Sequence, residues 1–132
     1  MKTTNTAVIR AARALIAVLF LIAGIRKLLA WNATTAYFSA LGIPFPKLAL
    51  PVTILIELGG AIALIAGWRI RAVAWGMAVF TLGSALIAHR FWLADPVTFG
   101  NQLNHFLKNL AIAGGFLLLA QSAPPVEQRD AS

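Results

Sequence analysis

Four long apolar runs dominate the pattern of hydrophobic and polar positions along the chain. They cover residues 11–29, 48–67, 72–88 and 103–121, and each is about 17–20 residues long. A helix needs about 20 residues to cross a hydrocarbon core about 30 Å thick. Because backbone polar groups in lipid must be hydrogen-bonded within their own segment, each run is predicted to be a helix. The first run ends in Arg26-Lys27 and is longer than the apolar core of a signal peptide, so we expect it to be retained.

The segments between the runs carry turn and interface residues. Residues 68–71 form a turn so short that the second and third helices are predicted to be antiparallel neighbours. In the first loop, residues 30–47, Pro44 and Pro46 are expected to stop any helix. Tyr37 and Phe38 precede them at a spacing that suits a short interfacial helix, and a third loop is expected over residues 91–102.

Together these features predict an all-α fold, an integral membrane four-helix antiparallel bundle. Residues 1–122 are expected to form a single transmembrane domain, and residues 123–132 a flexible polar tail.

Composition supports this prediction. Of the 132 residues, 60% are hydrophobic and 11% are charged, whereas about 25% of the residues in a soluble domain are charged. This composition argues against a soluble globular protein and against a disordered chain. The chain has no cysteine, which excludes disulfides, thiol catalysis and cysteine-bound metals. Its net charge is +7, but the cations lie at the ends of apolar runs, so we expect a membrane and no nucleic-acid partner.

Loop charge predicts the orientation. The side that holds both termini and the 68–71 turn carries most of the cations in the loops and at the flanks of the apolar runs, which predicts that both termini are cytoplasmic. These cations are Lys2, Arg10, Arg13, Arg69, Arg71 and Arg129.

The polar residues in or beside the apolar runs form the candidate site. If the helices alternate up and down, these residues all fall in the non-cytoplasmic leaflet, so four helices contribute to one polar layer. Glu57 and His89 are the candidate catalytic residues, because both can exchange protons. The candidate ligand-binding residues are Arg26, Lys27, Arg90, His105, Lys108 and Asn109.

Glu57 is the strongest single signal in this layer, because it is the only acidic residue within the four apolar runs. An intramembrane carboxyl is costly, so it is expected to face the bundle. Two interpretations remain open: a structural ion pair with Arg26, Lys27 or Arg90, or a carboxyl that binds a ligand or handles protons.

The cations of the layer outnumber its one carboxylate, which favours an anion or an electron-rich oxygen as ligand. Candidates are a lipid phosphate, a sulfur oxyanion and a quinone carbonyl; snorkelling to the headgroups is the alternative for each cation. A metal or haem held by His89 and His105 is disfavoured by the surrounding positive charge, so no metal site is predicted.

An ordered set of motifs over roughly residues 10–120 resembles the DoxX family of small bacterial membrane proteins. The set consists of Arg13, Phe20-Leu-Ile-Ala-Gly24-Ile-Arg-Lys27, Leu41-Gly-Ile-Pro44, Glu57-Leu-Gly-Gly-Ala, Gly67 with Arg71, Ala85-Leu-Ile-Ala-His89 and Asn109-Leu-Ala-Ile-Ala-Gly114-Gly115. The positions that recur in the family correspond here to Arg13, Lys27, Pro44, Glu57, His89 and Lys108.

The resemblance implies a multi-pass protein of the bacterial inner membrane that is associated with redox chemistry. Some members are membrane subunits linked to thiosulfate:quinone oxidoreductase, and others belong to thiol and oxidative-stress complexes. The chain is therefore expected to be a redox-associated subunit that binds quinone, with a partner redox protein as its electron source; a direct thiol-exchange role is not expected without cysteine. The alternatives are a non-catalytic module that binds lipid or anchors a partner, and a small transporter.

Overall fold

A computed structural model of the chain describes residues 6–123 and contains five α-helices and one 3-10 helix. The α-helices are α1 (Thr6–Leu29), α2 (Trp31–Ala40), α3 (Pro46–Ala66), α4 (Ile70–Ala88) and α5 (Phe99–Ser122), with the 3-10 helix at Phe91–Leu93. Four segments are long and apolar enough to cross a membrane, namely α1, α3, α5 and the stretch Ile70–Leu93 that begins with α4. The all-α fold class and the four predicted spans are therefore confirmed. Most of the predicted polar tail lies outside the described residues.

The chain divides into two compact units, Met1–Trp68 (unit 1) and Arg69–Ser132 (unit 2). Unit 1 contains α1, α2 and α3, and unit 2 contains α4, the 3-10 helix and α5.

In unit 1, α1 and α3 pack against each other in opposite directions. Lys27 near the end of α1 meets Glu57 in the middle of α3, whereas Arg13 near the start of α1 meets Gly67 at the end of α3. A Cβ added at Gly67 would lie 3.2 Å from Arg13 Nη1, and Gly67 has a φ of 79° that favours glycine. The Arg13 cation thus lies at the negative end of the α3 dipole.

The predicted short helix is confirmed as α2, which follows α1 after one residue. Its Phe38 is buried with Leu50 and Ile54 of α3 in one hydrophobic cluster. The expectation for Pro46 was wrong, because this residue begins α3 rather than interrupting a helix. Proline is tolerated in the first turn, where the missing N–H has no intrahelical acceptor.

In unit 2, α4 packs against α5. Phe91, Trp92, Phe99 and Phe106 form a chain of edge-on ring contacts that holds the 3-10 helix on the first turns of α5. The predicted third loop is too long at its end, because α5 already begins at Phe99 and includes Gly100 and Asn101. Asp95 makes this early start possible: its Oδ1 accepts hydrogen bonds from the Thr98 N–H at 2.8 Å and from the Thr98 hydroxyl at 3.0 Å.

Candidate functional site

The intramembrane carboxyl of Glu57 is paired with Lys27 inside unit 1. Lys27 Nζ donates to Glu57 Oε1 at 2.9 Å and to Oε2 at 3.1 Å. The Glu57 side chain is 7% exposed and the Lys27 side chain 24% exposed. Of the three cations considered as partners for this carboxyl, Lys27 is the one that the structure places beside it.

Close packing of α1 on α3 brings these two side chains together. Gly24 is buried, and a Cβ at this position would lie 2.6 Å from Leu58 Cδ2 and 3.5 Å from Glu57 Cβ. Lys27 follows Gly24 by three residues and so extends from the same face of α1. The glycine therefore sets the short distance between helices that lets the lysine reach the carboxylate.

An open pocket of about 300 Å³ lies beside this ion pair, between the end of α1 and α2. Its lining combines two alanines with two cationic and two hydroxyl-bearing residues: Ala23, Arg26, Lys27, Ala30, Thr34 and Tyr37. The Thr34 hydroxyl donates to the Ala30 carbonyl at 2.8 Å, so its proton is already used in a hydrogen bond. Among residues 6–68 the guanidinium of Arg26 has no hydrogen-bond or ion-pair partner, and the pocket lining contains no acidic residue. With Lys27 neutralised by Glu57, the pocket presents one uncompensated positive charge.

Unit 2 contains a second polar cluster, at the end of α4 and the start of α5. The rings of His89 and His105 stack with centroids 4.9 Å apart and planes 19° apart. His89 Nδ1 lies 3.0 Å from Gln102 Oε1. With the amide oxygen as acceptor, Nδ1 carries the ring proton and Nε2 is the nitrogen that remains available.

The stacked rings do not fit a haem held between His89 and His105. Axial ligands hold the iron between two opposed nitrogens, not between stacked ring faces. Among residues 6–123, no three His, Cys, Asp or Glu side chains come together in a group that could hold a metal ion.

Comparison of the sequence with known proteins identifies its family. Residues 8–90 match the DoxX family. The chain belongs to this family. It is also 35% identical over 113 residues to the inner membrane protein YphA of Escherichia coli (strain K12), an alignment that covers 86% of this chain and 81% of YphA. It is 40% identical over 124 residues to the inner membrane protein YqjF of the same organism, covering 94% of this chain and 90% of YqjF. No solved structure matches the chain.

These relatives and the four candidate spans identify this DoxX protein as a multi-pass protein of a bacterial inner membrane. The family match includes both members of the Lys27–Glu57 pair and His89, and it ends before α5. The complete ion pair and its pocket therefore lie within the residues that match the family.

The remaining predicted ligand-binding residues of this DoxX protein lie in unit 2. Arg90 immediately precedes the 3-10 helix, Lys108 is exposed on α5 one turn after His105, and Asn109 is half-buried. The polar layer shared by all four helices stays a prediction.

Sequence reasoning missed three polar residues at these two clusters. Thr34 and Tyr37 line the pocket of unit 1, and Gln102 holds His89 in unit 2. Gln102 precedes His105 by three residues, so both lie on the face of α5 that contacts His89. This spacing could have been recognised from the sequence. Tyr37 had been noted as an interfacial residue, but its place in the pocket follows from the return of α2 towards α1.

Proposed function

We propose that this DoxX protein is a redox-associated membrane subunit that binds a quinone-type ligand in the pocket of unit 1. The observation that carries the proposal is an open pocket whose lining holds Lys27, which is paired with Glu57, next to an unpartnered Arg26. Quinones present electron-rich carbonyl oxygens, and their reduced forms can carry negative charge. Both match a pocket with one positive charge in excess.

Arg26 of the pocket and Glu57 of the adjacent ion pair have distinct tasks in this proposal. Arg26 presents several N–H donors to the ligand oxygen. Glu57, held by Lys27, is the carboxyl that exchanges protons, since reduction of a quinone to a quinol takes up two protons with two electrons. The small side chains of Ala23 and Ala30 leave room for a flat ring next to Tyr37. A partner redox protein supplies the electrons.

His89 in unit 2 is proposed as a second proton-exchanging group. Its Nδ1 is held by Gln102, so Nε2 is the nitrogen that takes part in exchange. Arg90, His105, Lys108 and Asn109 remain predicted ligand-binding residues on the hypothesis of one polar layer.

The proposal is tested by titrating the detergent-purified protein with a short-chain ubiquinone analogue, in its oxidised and reduced forms. Arg26→Gln removes the donor that faces the pocket, and we expect quinone affinity to fall about tenfold or more, the range for a hydrogen bond to a charged group. Arg10→Gln is the matched control, because Arg10 is an exposed arginine of the same helix, far from the pocket. Glu57→Gln is expected to make binding less dependent on pH.

Equal affinities for the wild-type protein, Arg26→Gln and Arg10→Gln would remove the quinone proposal. Native mass spectrometry of the same samples then distinguishes the alternative. Retention of phospholipid alone, or capture of a protein partner with no quinone, favours a non-catalytic module that binds lipid or anchors a partner.

We also propose that both termini face the cytoplasm, on the basis of the cationic loops and flanks. The chain has no cysteine, so a single introduced cysteine reports its own location. Val97 is 92% exposed in the segment between α4 and α5. In intact spheroplasts, Val97→Cys is expected to react with a membrane-impermeant maleimide and Thr6→Cys is not; the reverse pattern would invert the orientation.

A further inference from the structure

A polar stripe runs along the exposed face of α5 within a membrane span. Asn101, Asn104, His105 and Lys108 lie within about 50° of their mean direction on the helix, and all four are exposed. Exposed positions on the rest of α5 are mainly apolar, such as Leu107, Leu110 and Leu118. The stripe is therefore a local exception to an apolar surface.

The position of the stripe along α5 places it below the membrane surface. The helix has 24 residues and so is about 36 Å long, which extends it about 3 Å beyond each boundary of a hydrocarbon core about 30 Å thick. The Cα of Lys108, nine residues after Phe99, lies about 10 Å inside that core. Side chains on a helix lean towards its N-terminus, so the Lys108 amine extends towards His105 and the nearer headgroups.

Among residues 69–123, the charge of the stripe has no counterion. Asp95 is the only acidic residue in the range 69–123, and it lies outside the spans, where its Oδ1 accepts from Thr98. Lys108 and His105 interact electrostatically as like charges when both are protonated. An anion from outside the unit would relieve this repulsion and supply acceptors for the asparagine amides as well.

We propose that the His105–Lys108 face of α5 binds the phosphate of an anionic phospholipid in the adjacent leaflet. Lipid is the occupant that the position favours, because these exposed residues lie within a membrane span and the Lys108 amine leans towards the headgroups. The Asn101 and Asn104 amides, about one to two turns nearer the surface, are placed to donate to the phosphate or glycerol oxygens. A second copy of the chain would instead bring two cationic stripes together.

The test measures retention of phosphatidylglycerol by native mass spectrometry. The protein is placed in nanodiscs of phosphatidylcholine with about one fifth phosphatidylglycerol, and bound lipids are counted after release. We expect the wild-type protein to retain phosphatidylglycerol in preference to phosphatidylcholine. Lys108→Gln should weaken that retention about fivefold, the effect of one lysine near an anionic surface, whereas Lys108→Arg should preserve it.

Lys47→Gln is the matched control, because Lys47 is an exposed lysine at the start of α3 in unit 1. Equal losses in Lys47→Gln and Lys108→Gln, or equal retention of both lipids by the wild-type protein, would overturn the inference. So would a dimer in the mass spectrum that dissociates in Lys108→Gln. Loss of quinone affinity in Lys108→Gln with unchanged lipid retention would also overturn it, and would support the shared polar layer instead. Failure of quinone binding at Arg26 leaves the lipid inference untouched, since the two sites lie in different units.

Discussion

Removing the lysine of the intramembrane ion pair is expected to destabilise the protein more than removing the carboxylate. Lys27→Met keeps the length of the side chain but leaves the Glu57 carboxylate, whose side chain is 7% exposed, without its two hydrogen bonds. Glu57→Leu leaves Lys27, which is 24% exposed and can turn its amine towards the headgroups. The difference in burial between the two partners thus predicts the order of the two effects.

The magnitudes follow from the geometry. At the Nζ–Oε1 distance of 2.9 Å, the attraction is about 6 kcal/mol at an effective dielectric constant of about 20, and the desolvation of both groups offsets much of it. Breaking a buried pair by removing one partner costs about 3–5 kcal/mol, which we assign to Lys27→Met. For Glu57→Leu we expect about 1–3 kcal/mol, the cost of an imperfectly satisfied donor. The double variant Lys27→Met/Glu57→Leu should lie within about 1 kcal/mol of wild type, since two apolar side chains replace the pair.

The assay is reversible unfolding in mixed micelles by SDS titration, followed by far-ultraviolet circular dichroism and tryptophan fluorescence. Lys47→Met, an exposed lysine on the same unit, serves as the control and should change the free energy of unfolding by less than about 0.5 kcal/mol. The reasoning is refuted if Glu57→Leu costs more than Lys27→Met, or if the double variant loses the sum of the two single losses.

Two further predictions concern the contacts that support the clusters. Gly24→Ala should cost about 1–3 kcal/mol, because its Cβ would lie 2.6 Å from Leu58 Cδ2 and would disturb the neighbouring ion pair; Gly59→Ala, where nothing lies within 4 Å, should be neutral or slightly stabilising in the same SDS titration. The backbone and side-chain hydrogen bonds from Thr98 hold the pKa of Asp95 below its ordinary value. The contribution of the Asp95 carboxylate to stability is therefore complete above the ordinary pKa of about 4. It is lost as the pH falls through the lowered pKa of the folded protein. The Thr98 amide resonance should follow this loss in an NMR titration, and a spectrum identical to that of Asp95→Asn at every pH would contradict it.

The spans could be predicted from the sequence because the bilayer imposes a length and a composition that few other environments require. Predicted and observed spans therefore agree closely in the middle of the chain, where residues 72–88 became Ile70–Ala88. The disagreements lie at the polar ends. Residues 99–102 were predicted as loop because Gly100 and Asn101 are turn residues, but Asp95 organises the preceding turn and extends the helix. Apolar periodicity carries no information about such local hydrogen bonds.

Both members of the Lys27–Glu57 pair could be named from the sequence, but their contact could not. Glu57 was identified as a charge within an apolar run. The alternation of the helices placed Lys27 in the same layer as Glu57, as one of several candidate cations. Which cation pairs with Glu57 could be determined only from the register of α1 on α3. That register depends on Gly24, which apolar periodicity does not distinguish from the other glycines of the chain.

Adjacent residues on one helix acquire different roles because successive positions differ by about 100° in direction. Lys27 points to α3, where the Glu57 carboxylate compensates its charge. Arg26 is exposed at the pocket, and its charge is not compensated. If the two residues were exchanged, a guanidinium would face the carboxylate and an amine the pocket. The ion pair would survive, since arginine pairs well with carboxylates, but the pocket would lose the planar donor array that the proposed quinone site requires of Arg26. The exchange Arg26→Lys/Lys27→Arg therefore separates the two tasks: unfolding free energy should stay close to that of wild type while quinone affinity falls, and parallel changes in both would mean that the pair and the pocket act as one unit.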